Sequence, residues 1–194
     1  MDRRGLLPCK YEEDREDLYF YYDIERMSPF QDIKVESREK KYQVLINFCL
    51  LKELQTDFVL KLTVDNLYYD ENGLLYLKER DIYGRGEKPS DLQFVNAYKS
   101  FVAGVLGSKY SVTQIQESGI EICREEKWFE PIYRCETSEE IADILRKVRE
   151  DYLFRTKAGD AECKEIYVFN MENCSHYYID RNLAWRWICN ISFY

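Results

Sequence analysis

The stretch Asp65-Asn66-Leu67-Tyr68-Tyr69-Asp70-Glu71-Asn72-Gly73-Leu74-Leu75-Tyr76-Leu77 organises the reading of the chain. Leu67-Tyr68-Tyr69 and Leu74-Leu75-Tyr76-Leu77 are apolar and aromatic runs of strand length. Asn72-Gly73 between them tolerates the positive φ angles of a tight turn, so the stretch predicts a β-hairpin. Just upstream, residues 58–62 are short and apolar and read as another strand. Further back, Tyr42, Leu45, Ile46, Cys49 and Leu50 fall on one 3.6-residue stripe, which predicts an amphipathic helix over residues 37–55 with Leu45, Ile46 and Leu50 buried. Ser28-Pro29 reads as an N-cap with proline at the first helical position. Residues 18–24, LYFYYDI, read as a strand.

Downstream of the hairpin, residues 83–90, YGRGEKPS, read as a loop. Three helices then begin with a Ser or Thr followed three residues later by Gln or Glu, the capping-box spacing: Ser90 with Gln93, Ser111 with Gln114, and Thr137 with Glu140. The first carries Phe94, Val95, Tyr98, Phe101, Val102 and Val105 and stops at Gly107. The second stops at Gly119. The third places Ile141, Ile144, Leu145, Val148 and Tyr152 on one face. Strands therefore concentrate in the first half and helices in the second. The predicted class is α+β, a small sheet lobe followed by a helical lobe.

The 194 residues suffice for one substantial domain. Lys and Arg number 28 against 36 Asp and Glu, a formal charge of −8, so the chain lacks the basic footprint of a nucleic-acid binder. Seventeen tyrosines, each with an apolar body and a wet tip, predict many half-buried positions or an interaction surface. The seven cysteines are odd in number, irregularly spaced and without a C-x-x-C pair, which favours neutral thiols in a reducing compartment over a disulfide framework or zinc site. The start has no signal-peptide core, and no run of about 18 apolar residues is long enough to span a bilayer.

The residues offer little for catalysis. His176 is the sole histidine, which makes a Ser-His-Asp or Cys-His arrangement improbable. The acidic pairs Glu12-Glu13, Glu125-Glu126 and Glu139-Glu140 read as solvated surface. Gly84-Arg85-Gly86 lacks the third glycine, the lysine and the strand-to-helix context of a phosphate loop. No calcium loop occurs, and neither a cofactor nor a metal is expected.

The hairpin stretch resembles the part of a protein kinase that follows the catalytic loop, where an Asn precedes a strand, a Gly-containing turn and a second strand. Asn66 and Gly73 stand at kinase-like spacing. The place of the metal-binding Asp falls on Glu79, followed by Arg80 rather than Phe. The place of the catalytic Asp, five residues before Asn66, holds Lys61. Neither a Gly-rich loop nor a V-A-I-K strand precedes them. The scaffold of a kinase is suggested and its chemistry is not.

Together the segments resemble the EssB/YukC family of the bacterial type VII secretion system, from Leu18 to about Tyr152. The resemblance is carried by Tyr22-Asp23-Ile24, Ser28-Pro29-Phe30, the Lys40 to Leu54 helix, Phe58-Val59-Leu60, Asp65 to Asp70 with Gly73, and Lys78-Glu79-Arg80. It continues through Tyr98-Lys99, Tyr110-Ser111 and Glu117 to Glu121. The resemblance implies a pseudokinase-like domain over residues 1–160, on the cytoplasmic side of the bacterial membrane, that does not phosphorylate. It also implies a homodimer that assembles with an FtsK/SpoIIIE-type membrane ATPase and a small ubiquitin-like subunit. Relatives continue into a membrane helix. Here residues 161–194 diverge and end in LAWRWICNISFY, expected to be a loosely packed tail, with the chain a truncated relative or a fragment. Two other readings stand beside this one. They are a soluble interaction module using its tyrosine-rich surface, and a divergent phosphotransferase holding Mg²⁺ with Asn66 and Glu79.

Overall fold

A computed structural model describes residues 4–14, 17–82 and 90–157. The Gly84-Arg85-Gly86 loop, His176 and the tail 161–194 lie outside the described residues. In chain order, β1 (Cys9–Asp14) and β2 (Asp17–Tyr22) pair antiparallel, with Tyr11 opposite Phe20 and Glu13 opposite Leu18. β1 was invisible to periodicity because all six of its residues are exposed, so neither face had to be apolar.

β3 (Ser28–Pro29) corrects the expected helix start. The two residues lie antiparallel to Tyr69 and Tyr68, and Pro29 is extended at ψ 142°. Pairing with a strand holds Pro29 out of the helical region, so the coil tightens one residue later, as a 3-10 segment over Phe30–Val35.

α1 (Arg38–Asn47) is capped by Ser37, whose Oγ accepts from the Lys40 backbone N–H at 3.2 Å. The expected continuation to residue 55 is corrected: from Phe48 to Thr56 the chain winds as a 3-10 helix. The reason lies in the side chains. Phe48, Leu51 and Leu54 recur every three residues, the period of a 3-10 helix, and all three are buried. Cys49 and Leu50, on the expected α stripe, are turned out to half-buried positions. At the junction the Leu45 carbonyl accepts from the Phe48 N–H and also from the Tyr98 hydroxyl, at 2.5 Å.

β4 (Phe58–Leu60), β5 (Leu67–Tyr69), β6 (Leu75–Leu77) and β7 (Arg80–Ile82) follow. β5 and β6 form the expected hairpin, pairing Leu67 with Leu77 and Tyr69 with Leu75. Its loop is one residue longer than a two-residue turn. The Asp70 N–H donates to the Leu74 carbonyl and the Gly73 N–H to the Asp70 carbonyl, with Gly73 at φ +72°. The Asp70 carboxylate accepts from the backbone N–H of Asn72 and of Leu74, at 2.9 and 2.8 Å. The described strands make three small sheets, β1-β2, β3-β5-β6 and β4-β7. An unanticipated N-terminal segment extends the second. Leu6 bridges Leu77 in parallel, and the backbones of Gly5 and Leu7 bond to Leu77 on either side.

The helices follow their caps. α2 (Asp91–Leu106) opens at Ser90, α3 (Val112–Ser118) at a reciprocal Ser111–Gln114 box, then come α4 (Glu130–Tyr133) and α5 (Ser138–Lys157). Ahead of α5, Glu140 accepts from the Thr137 backbone and returns its own N–H to the Thr137 hydroxyl. Among the described residues one apolar core, from Leu6 through the β5-β6 hairpin, α1 and α2 to Leu145, joins the small sheets to the helices.

Two expectations follow from this packing. Gly104 sits inside α2 where α3 approaches, and a Cβ there would come within 2.5 Å of the Val112 backbone nitrogen. Ala is the better helix former by about 0.5–1 kcal/mol, but overpacking against backbone costs ~1–3 kcal/mol or more. Gly104→Ala should therefore lower stability in chemical denaturation, and a gain would show that α3 yields freely.

The Tyr69 hydroxyl donates to Glu36 at 3.0 Å. Burial first, and this bond second, push the phenol up from 10.0 to about 12. A folded-state value above the unfolded one stabilises fully below pH 10 and is lost as the pH rises through 12. Tyr69→Phe should accordingly flatten the alkaline fall in stability across that window.

Candidate functional site

The kinase-like positions are the candidate site by sequence, and three of the four meet. Asn66 is 1% exposed. Its Nδ2 donates to the carbonyls of Lys61 and Glu79, at 2.7 and 2.8 Å, and its Oδ1 accepts from the Glu79 backbone N–H at 2.6 Å. Its own carbonyl takes the Lys78 N–H. One amide thus laces the segment after β4 to the segment between β6 and β7. Above it, the Lys61 ammonium reaches the Glu79 carboxylate at 3.0 Å, and Lys78 stands 3.5 Å from the other carboxylate oxygen. The hydrogen bond and charge of Glu79 raise the Lys61 pKa, and Lys61 in turn lowers that of Glu79. Gln116 of α3 donates to the Leu62 carbonyl at 2.8 Å, anchoring the same segment to the helices.

This arrangement spends its polar groups on the fold. Both N–H groups of Asn66 are committed to backbone carbonyls, and its oxygen faces a backbone N–H rather than an open coordination site. The position of the catalytic base is an ammonium paired with a carboxylate, which cannot accept a proton from a substrate hydroxyl. Among the described residues no three His, Cys, Asp or Glu side chains gather as a metal would require.

Gly73 is not part of this cluster. It lies at the hairpin tip, where a Cβ would meet Gln43 Cγ at 3.0 Å and the Val44 nitrogen at 3.2 Å. The tip is pinned to α1. Lys40 donates through Nζ to the carbonyls of Asp70 and Glu71, at 2.9 and 2.5 Å, and Asn47 donates to that of Gly73 at 3.0 Å. Sequence reasoning placed Lys40 only at the polar start of a helix. Its partners are thirty residues away, and nothing in its local pattern announces them.

Two surface features accompany the cluster. A partly open groove of about 450 Å³ lies between α1, α2, α4 and α5, with Tyr42, Trp128, Ile144 and Val148 along its apolar wall and Arg38 and Lys41 at its edge. The β1-β2 hairpin exposes Tyr11, Leu18, Tyr19, Phe20 and Tyr21. No helix among the described residues is long and apolar enough to cross a membrane.

The family described as the WXG100 protein secretion system (Wss), protein YukC, matches residues 2–157. No curated protein matches the chain. The crystal structure of a Staphylococcus aureus EssB cytoplasmic fragment is similar at a TM-score of 0.64 and 22% identity, covering 76% of this chain and 86% of that one. The crystal structure of a Geobacillus thermodenitrificans EssB cytoplasmic fragment is similar at a TM-score of 0.63 and 10% identity, covering 80% of this chain and 76% of that one. At these identities the two structures show the shared fold.

Proposed function

This chain belongs to the YukC family of the WXG100 protein secretion system, and we propose that it is a non-enzymatic scaffold component of that apparatus. On this reading residues 1–160 form a protein-kinase-like domain, a small sheet lobe followed by a helical lobe, that has lost phosphotransfer and kept the frame. It works at the cytoplasmic side of the membrane as a homodimer. Its partners are other machine subunits, an FtsK/SpoIIIE-type ATPase and a small ubiquitin-like protein.

The observation that carries the reading is Asn66. A kinase needs that amide to hold a metal ion over the phosphates, and it needs a base beside it. Here the amide closes a backbone junction, and Lys61 and Glu79 neutralise each other. Charge and positioning are the main means of phosphoryl transfer, so a site with both redirected supports assembly over chemistry.

Nucleotide binding tests this directly. A ligand at 100 times its dissociation constant adds about 2.7 kcal/mol, worth roughly 5–10 °C in a domain of this size. Millimolar Mg²⁺-ATP should leave the melting temperature unchanged, whereas the purified machine ATPase should co-sediment with the chain. A reproducible Mg²⁺-dependent rise would favour the phosphotransferase, and loss of every subunit interaction would remove the scaffold reading.

A further inference from the structure

The β1-β2 hairpin has two unlike faces. Paired residues share a face, so Tyr11, Leu18 and Phe20 stand together with Cys9, Glu13 and Tyr22, while Lys10, Glu12, Asp14, Asp17, Tyr19 and Tyr21 occupy the other. On the first face Tyr11 is 69% exposed, Phe20 55% and Leu18 51%. An isolated two-stranded hairpin is marginal in water, and this one keeps its apolar face uncovered.

The outer edges of the two strands differ as well. Among the described residues neither strand has a second neighbour. β1, CKYEED, carries charge at four of its six positions, which is how natural edges discourage pairing. β2, DLYFYY, has one charge, at its first residue, and neither proline nor glycine. An edge of that kind is a template for a further strand.

The charge around the hairpin selects among strands. In sequence, residues 9–22 carry Glu12, Glu13, Asp14, Glu16 and Asp17 against Lys10 and Arg15, and among the described residues Glu12, Glu13, Asp14 and Asp17 lie toward the outer end of the pair. A second copy would bring the same carboxylates and the same net charge of −8, and like charges oppose that pairing. We propose that β2 accepts an extended segment of a partner protein, paired through the backbone, whose apolar side chains cover Leu18 and Phe20 and whose alternate residues are Lys or Arg. This deepens the scaffold reading and rests on it for which protein supplies the segment, not for the surface.

The experiment uses the full chain and two synthetic octapeptides, alternating Val-Lys and alternating Val-Glu, read by fluorescence anisotropy and amide hydrogen exchange. The Val-Lys peptide should bind at least tenfold more tightly than Val-Glu and slow exchange at least tenfold within residues 18–22. Leu18→Lys and Phe20→Lys should each abolish that binding without moving the melting temperature, since both side chains are exposed. Equal binding of the two peptides, absence of binding by Val-Lys, or protection confined to residues outside 9–22 would overturn the proposal. So would a concentration-dependent dimer in which residues 18–22 are protected without peptide, because the occupant would then be a second copy. Specific Val-Lys binding by a chain that recruits no secretion subunit would keep the surface and remove the secretion role.

Discussion

Phe48→Ala should cost about 3–5 kcal/mol. Phe48 is fully buried where α1 gives way to the 3-10 segment. Its ring stacks on Tyr98 at 4.8 Å and packs against Phe101 at 4.8 Å and Phe94 at 5.7 Å, and Phe101 in turn meets Phe30 edge-on at 5.0 Å. Truncation leaves a cavity bounded by rings from α2, which cannot collapse without moving that helix. It also loosens Tyr98, whose hydroxyl satisfies the Leu45 carbonyl. Urea denaturation should show the midpoint falling at unchanged slope. Leu50→Ala, at the half-buried position of the α stripe, should cost distinctly less. Equal losses would restore the continuous α-helix that the spacing of Tyr42, Leu45, Ile46, Cys49 and Leu50 predicted.

Asn66→Ala should cost roughly 2–4 kcal/mol, because it strands two carbonyls and an N–H that the amide satisfied, and unmade buried bonds cost ~1–3 kcal/mol each where water does not reach them. Asn66→Asp separates a structural from a metal-binding role. A carboxylate can still take the Glu79 N–H, but it faces the Lys61 and Glu79 carbonyls with negative charge and no donor. At neutral pH this variant should be at least as unstable as Asn66→Ala. Protonation supplies a donor, so the Asp carboxyl should titrate above its ordinary value and stability should recover relative to wild type as pH falls. Were Asn66 a metal ligand, Asn66→Asp would instead be rescued by millimolar Mg²⁺. Lys61→Ala should change little by comparison, since its pair with Glu79 is solvent-exposed.

The parts of the fold that were legible are those where one local signal dictated the outcome. Ser90, Ser111 and Thr137 each open the helix their spacing announced, and the hairpin turns at Gly73. The parts that were not legible depend on partners distant in sequence or on the lack of a buried face. Ser28-Pro29 has the composition of a helix start, and only Tyr68 and Tyr69, forty residues later, make it a strand. Gly5 to Leu7 is too short to show a period, and its register comes from Leu77. The 3-10 segment did leave a trace, Phe48-Leu51-Leu54, but it overlaps an equally regular 3.6-residue stripe. Packing against the rings of α2 decides between them. In the candidate site the identities of Lys61, Asn66 and Glu79 could be read from spacing, whereas their mutual bonding could not.

The 3-10 winding of Phe48–Thr56 also sets a length. A 3-10 helix rises about 2.0 Å per residue and an α-helix 1.5 Å, so nine residues reach roughly 4–5 Å further than the same chain wound as α. The angular step differs too, about 120° against 100°, which over nine residues accumulates to about half a revolution. The segment therefore acts as a gauge block between α1 and β4: rewound, it would draw Phe58 inward and turn it to the opposite side, carrying the β4-β7 ribbon and the Lys61 junction out of line with the rest of the molecule.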